Sequence, residues 1–169
     1  SEEIIARKYG WNHTLISYFI GHSAMRSNNV ITHDGTGDIV FGINPAMGTA
    51  PEDIETVKNF FNKVGIAYRT PDDMMRAYWL KFMLNVSANQ LSAIMRLTFG
   101  DMQSNPKSIE HLQKIMDEIL QIAKAEGVQN TDTRIEEAMV GFNGMIPEGK
   151  TSMLQDVEAG RKTEVEMFA

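Results

Sequence analysis

"AYWLKFMLNVSANQLSAIM", residues 77–95, decides how this chain is read. It is mostly apolar and free of glycine and proline, so it reads as one long helix. Pro71, Asp72 and Asp73 begin that helix, and it is expected to run to about Phe99, before Gly100. Lys81, Asn85 and Asn89 interrupt it at four-residue spacing. A helix turns by about 100° per residue, so the three side chains fall within about 80° of one another and make a polar stripe along one face. Asparagine is a mediocre helix former with nothing to recommend it on a solvated face. The rest of the helix is apolar on nearly every side, with Trp79, Phe82, Met83 and Leu91 among its residues. A lysine beside two amides suits a small oxygen-rich ligand, and partial burial would lower its pKa toward a range useful for proton transfer. Periodicity alone does not separate such a site from an ordinary solvated stripe.

Downstream of the stripe the pattern stays helical. Residues 106–126 place Ile109, Leu112, Ile115, Met116, Ile119, Leu120 and Ala123 at core-facing spacing, and Gly127 ends the run. Residues 131–143 read as a shorter helix, "PEGK" as a turn, and "TSMLQDVEAG" as a short helix closing near Gly160. Upstream the character changes. "HTLISYFIG" is a β-branched and aromatic run suited to a buried strand, and "NNVITHDGTGDIVFGI" reads as a hairpin with two arms around "DGTG". Pro51 opens a helix to Val64 with Glu52 and Asp53 in its first turn, and "GIAYR" makes one more short strand. The fold class is therefore α+β at the front and all-α behind, with the division placed between residues 1–70 and 71–169.

The bulk numbers narrow the function. A chain of 169 residues with 43% hydrophobic content can bury a proper core. A net charge of −6, from 16 basic and 22 acidic residues, argues against a general binder of nucleic acid or anionic membrane. No apolar run approaches the roughly 20 residues that span a bilayer. The absence of cysteine excludes disulfides and thiol catalysis and accords with a cytoplasmic location. Both ends read as internal to a longer protein: the chain starts on Ser1, and Thr163 and Glu166 have capping-box spacing for a helix with little room to continue.

A second constellation lies in "GKTSMLQDVEAGRKTEVE". Ser152 and Gln155 have capping-box spacing, which puts Ser152 at a helix N-terminus, where free N–H groups and a hydroxyl suit a carboxylate or phosphate. The same spacing is that of an ordinary cap. His13, His22, His33 and His111 lack any metal-ligand spacing, so no metal is expected. "GTG" at 35–37 lacks the strand-to-helix setting of a dinucleotide fingerprint. The 12 methionines read as soft core filling.

"WLKFMLNVSANQLSAI" followed by "SMLQDVEAGRKTEVE" resembles the C-terminal half of the ketopantoate reductases, the 2-dehydropantoate 2-reductases. The shared motifs are Lys-x3-Asn-x3-Asn over Lys81, Asn85 and Asn89, and Ser-x11-Glu over Ser152 and Glu164, and the likeness extends upstream to Asn28-Asn29-Val30 and the hairpin. The resemblance implies that residues 1–70 are the end of an NADP-binding Rossmann-type domain. Residues 71–169 would then be a helical substrate-binding domain like the C-terminal domain of 6-phosphogluconate dehydrogenase. It implies NADPH-dependent reduction of ketopantoate to pantoate, in the biosynthesis of pantothenate and coenzyme A. Lys81 would be the general acid that protonates the C2 oxygen, Asn85 and Asn89 would hold the substrate's hydroxyl and carbonyl oxygens, and Ser152 would take its carboxylate. Glu164 would orient the substrate or the lysine, as the second catalytic residue.

The departures from the family pattern set further expectations. The glycine-rich phosphate loop is absent, so no cofactor-binding residue is assigned and the chain alone is expected neither to bind NADPH usefully nor to turn over. The strand at Thr14–Ile20 would lack sheet partners, which favours self-association or a homodimer. Two other readings stay open: a related reductase of another 2-keto acid, and a non-catalytic helical ligand-binding or interaction module.

Overall fold

A computed structural model of the chain describes residues 2–168 apart from 22–23, 28, 34, 36, 44–47 and 130–133. The chain divides into two compact units, Ser1–Tyr78 and Trp79–Ala169.

The first unit begins with α1 (Glu2–Tyr9) and a single 3-10 turn, then strands β1 (Ile16–Ile20), β2 (Ala24–Ser27), β3 (Val30–His33) and β4 (Asp38–Gly42). Helix α2 (Pro51–Val64) and the short strand β5 (Tyr68–Arg69) follow. The sheet has the order β1-β4-β5, with β1 antiparallel and β5 parallel to β4. Central β4 is covered on both faces. Val40 packs with Ile16 and Met74, while Phe41 meets Phe61 and Tyr68 with ring centroids 5.4 and 5.7 Å away. Proline at the first position and left-handed Gly65 (φ 73°) bound α2, and the Asp53 carboxylate accepts from Ala50 N–H at its start.

The hairpin differs from the sequence expectation. The arms on either side of "DGTG" do not pair with each other: Val30–His33 pairs back to Ala24–Ser27, and Asp38–Gly42 pairs with Ile16–Ile20. Asp34 and Thr36 of that motif, like Asn28, lie outside the described residues. Ser27 and Val30 are partners, so the chain reverses between β2 and β3.

The rod that carries the stripe starts as α3 (Met74–Leu84), passes through a π turn (Asn85–Asn89) and continues as α4 (Gln90–Met95). The second unit, from Trp79 onward, adds α5 (Phe99–Ser104), α6 (Pro106–Ala125), α7 (Arg134–Asn143), α8 (Ser152–Glu158) and α9 (Val165–Phe168). Its core gathers Met83 and Ala88 from the rod, Met102 from α5, Leu112, Met116, Ile119 and Leu120 from α6, and Ala138 and Phe142 from α7. Helix α6 occupies 106–125 as its periodicity predicts, capped by Asn105, whose side chain accepts from Lys107 N–H at 3.0 Å. Residues 131–133 of the expected third helix lie outside the described residues.

The expectation of one helix to Phe99 needs correction. The rod stops at Met95 because Arg96 takes a left-handed conformation (φ 55°), with the Leu97 N–H returning to the Ser92 carbonyl. A new helix then starts from Thr98. Its hydroxyl accepts from Asp101 N–H at 3.2 Å while the Asp101 carboxylate accepts from Thr98 N–H at 2.9 Å. Gly100 therefore lies inside α5 and terminates nothing. It is required there by close approach, since a Cβ at residue 100 would sit 2.8 Å from the Pro147 Cβ.

Candidate functional site

The stripe is partly remade by the backbone that carries it. The π turn spans Asn85–Asn89, the two asparagines of the motif and the three residues between them. In an α-helix, residues four apart overshoot a full turn by about 40°. The wider i→i+5 turn falls short of a full turn over four residues, so the drift from Lys81 to Asn85 is reversed from Asn85 to Asn89. Buried serines support this irregular stretch. The Ser87 hydroxyl, fully buried, donates to the Met83 carbonyl at 2.7 Å, and the Ser92 hydroxyl donates to the Asn89 carbonyl at 3.3 Å.

Lys81, Asn85 and Asn89 are each half-buried. Among the described residues none of the three side chains takes a hydrogen-bond or ion-pair partner, and none of their polar ends is sealed from solvent. Burial holds the Lys81 ammonium below the usual lysine value. An amine so placed gives up its proton more readily than a surface lysine and offers it beside two amides that can donate and accept.

Helix α8 packs against α4 and the π turn. Ser152 is its first residue, as its position in the motif predicts, but it is not the cap. Thr151 is the cap, its hydroxyl accepting from Leu154 N–H at 3.1 Å. The correction has a tertiary cause: Thr151 is 4% exposed and its hydroxyl meets that of Ser92, whereas Ser152 is exposed. Ser152 is thus freed from capping and sits one residue from a direct link to the stripe helix. The loop before it is held as well, with Phe99 N–H donating to the Gly149 carbonyl at 3.0 Å and Gly100 N–H to the Pro147 carbonyl at 2.8 Å.

Glu164 is exposed, just ahead of α9, and its side chain makes no hydrogen bond or ion pair among the described residues. Helix α9 starts at Val165, so Thr163 is not adjacent to its first residue. The structure therefore gathers Lys81, Asn85 and Asn89 on one rod, with Ser152 on a helix tied to it, and gives Glu164 no bonded link to them. Ser87, Ser92 and Thr151 are the participants that sequence reasoning passed over. For Ser87 and Ser92 the signal was a small hydroxyl residue inside an otherwise apolar helix, and for Thr151 a hydroxyl residue next to a helix start; each is ambiguous until its partner is known. No group of three His, Cys, Asp or Glu among the described residues could hold a metal ion. Gly35 and Gly37 lie between β3 and β4, with no helix following, so they do not form the strand-to-helix loop that cradles a dinucleotide's phosphates. No helix among the described residues is long and apolar enough to cross a membrane.

Comparison with known proteins bears on these observations. Residues 73–169 match the family described as "Ketopantoate reductase PanE/ApbA C terminal". The 2-dehydropantoate 2-reductase of Aquifex aeolicus is 28% identical over 163 residues, covering 94% of this chain and 52% of its own. The chain spans about half the length of the curated relatives it matches. Among solved structures, the 2-dehydropantoate 2-reductase of Geobacter metallireducens superposes with a TM-score of 0.82 at 26% identity, over 98% of this chain and 55% of that one. D-mandelate dehydrogenase in complex with NADH shares the fold, with a TM-score of 0.82 at 17% identity over 98% of this chain and 56% of its own. With the match running through the stripe, the π turn and the α8 motif, the chain belongs to the ketopantoate reductase family, and residues 73–169 are its C-terminal domain.

Proposed function

We propose that this chain supplies the substrate-binding and proton-donating half of an NADPH-dependent 2-keto acid reductase, with ketopantoate as the substrate and pantoate as the product. The observation that carries the reading is the row of Lys81, Asn85 and Asn89, half-buried on the π-turned rod with polar ends that no described residue satisfies. Their polar ends are open to solvent on an otherwise apolar rod, and a site for a polar ligand accounts for them. The nicotinamide cofactor supplies a hydride to the substrate carbon. The residues described here do not form a phosphate loop, so the cofactor would be held by another part of the reductase, with residues 1–70 as the end of that domain.

The chain's own part follows from charge. As the C2 ketone is reduced, negative charge collects on its oxygen, and Lys81 transfers a proton from Nζ to that oxygen, leaving a neutral amine and an alcohol. A lysine already biased by burial toward the neutral form is suited to that transfer. Asn85 and Asn89 orient the substrate through amide hydrogen bonds to its hydroxyl and carbonyl oxygens. Ser152, at the start of α8 and spared from capping, receives the carboxylate with the free N–H groups of the first turn. Glu164 orients the substrate or the lysine.

The test is the Lys81→Ala variant of the full-length reductase, assayed for NADPH oxidation against ketopantoate and a panel of other 2-keto acids. Loss of roughly 10²–10⁴-fold in kcat is expected for removal of a general acid. Unchanged turnover would remove Lys81 from the chemistry. Faster turnover of another acid than of ketopantoate would reassign the substrate within the same mechanism.

A further inference from the structure

The proposed site joins two parts of the chain that are 59 residues apart where they touch, and the join is made by two hydroxyls. Ser92 is fully buried and Thr151 is 4% exposed. Buried hydroxyls need partners, and these two are satisfied in one consistent direction. Leu154 N–H donates to Thr151 Oγ1 at 3.1 Å. Because the Ser92 hydroxyl gives its proton to the Asn89 carbonyl at 3.3 Å, the bond between the hydroxyls, at 2.5 Å, runs from Thr151 to Ser92. Each oxygen donates once and accepts once. The chain of bonds starts on the first turn of α8 and ends on the backbone of Asn89.

Simpler roles explain only part of this. Capping α8 requires one lone pair of Thr151 and no contact with Ser92. Bonding back to Asn89 requires one proton of Ser92 and no contact with Thr151. The bond between them adds nothing to either helix taken separately. It fixes one against the other, at the residue next to Ser152 on one side and at Asn89 on the other. We infer that Ser92 and Thr151 are positioning residues, which set the carboxylate-binding end of the site at a fixed place relative to the amide stripe. The inference rests on the reductase reading of that site, and neither residue touches the substrate.

The experiment measures steady-state kinetics of the full-length reductase with Ser92→Ala, Thr151→Val and Thr151→Ser. Ser92→Ala removes the link and leaves the Thr151 cap in place. A roughly tenfold rise in KM for the 2-keto acid is expected, a moderate penalty for a binding group moved by a fraction of an ångström, with KM for NADPH unchanged. Thr151→Ser should retain the wild-type KM, Thr151→Val, which also removes the cap, should raise it at least as far, and the Ser92→Ala/Thr151→Val double variant should rise no further than Thr151→Val alone. A purely structural role would lower Tm and the active fraction while leaving KM alone. A KM for Ser92→Ala within about twofold of an active wild type overturns the positioning role by itself. A wild-type enzyme that reduces no 2-keto acid overturns the reductase reading, and the positioning role with it.

Discussion

Gly100→Ala and Gly141→Ala each add one methyl group inside a helix of the second unit, and they should move its stability in opposite directions. In a helix, replacing glycine by alanine is worth up to about 1 kcal/mol through backbone entropy and propensity. At Gly141, in α7, the added Cβ would meet Leu84 at an ordinary 3.7 Å, so that gain should be realised. At Gly100 the same Cβ would lie 2.8 Å from the Pro147 Cβ and 3.0 Å from its carbonyl oxygen. That carbonyl is held in place, accepting the Gly100 N–H at 2.8 Å. Overpacking of this kind costs about 1–3 kcal/mol, and a strained backbone hydrogen bond about 0.5–1.5 kcal/mol more. Against the propensity gain, Gly100→Ala should destabilise by about 1–3 kcal/mol and Gly141→Ala should stabilise by about 0.5–1 kcal/mol. For a chain of this size each kcal/mol moves Tm by roughly 2–4 °C. Urea unfolding followed by Trp79 fluorescence in a Trp11→Phe background reports on the second unit alone, since these are the chain's 2 tryptophans. A Gly100→Ala midpoint at or above the parent's, with unchanged slope, would refute the packing argument.

Lys81 should be visible in the pH dependence. Only the ammonium form can give a proton, so kcat/KM of the full-length reductase should fall as pH rises through the Lys81 pKa, which burial holds below the ordinary 10.5. Lys81→Arg, whose guanidinium stays charged, should lower the rate and remove that limb; a limb that survives would assign it elsewhere. Because the unfolded chain still binds this proton where the folded chain has lost it, Lys81 makes stability rise with pH between the two pKa values. Lys81→Met should abolish that rise in urea midpoints measured across the alkaline range. The isolated chain, mixed with NADPH and ketopantoate, should show no turnover, and clear NADPH oxidation would contradict the division of labour proposed above. Ile4, Ile5, Val30 and Ile31 are all exposed on the first unit, and β1 is an edge of its sheet. Light scattering should therefore give a mass above the 19.0 kDa of one chain, and a monomer at every concentration would count against this.

Much of the fold was legible where local chemistry and tertiary packing agree. Helices α2 and α6 carry a proline start, an amphipathic run and a glycine stop, and their bounds follow from those signals alone. The misread boundaries are places where one residue type serves two ends. Asn28-Asn29 and Asp34-Gly35 both suit a reversal, and the choice depended on which strands pair. Gly100 resembles a helix stop, but the stop is made by Arg96, whose left-handed backbone no composition rule announces. Thr151 and Ser152 compete for one cap, and a hydroxyl 59 residues away decides between them. For the site, the polar stripe was readable from spacing, but the π turn beneath it was not. An i→i+5 turn has no residue signature of its own and arises from how the two flanking helices are held.

That turn has a consequence for everything beyond it. A π turn is an α-helix with one residue too many, and the extra residue shifts the phase of the rod by about 100°. The buried positions record the shift. Met83 and Ser87 keep helical step, yet the next inward residues are Ala88, Ser92 and Ala93, while Ile94, which an unbroken 83-87-91-94 rhythm would turn inward, is 77% exposed. Deleting a single residue between Asn85 and Asn89 would restore regular winding. The residues beyond it would keep their facings, whereas winding all the present residues as α-helix would carry Ser92 away from Thr151 and turn Ile94 toward the interior. The hydrophobic rhythm before the π turn and the one after it are thus out of register by one residue, and the π turn is where the chain reconciles them.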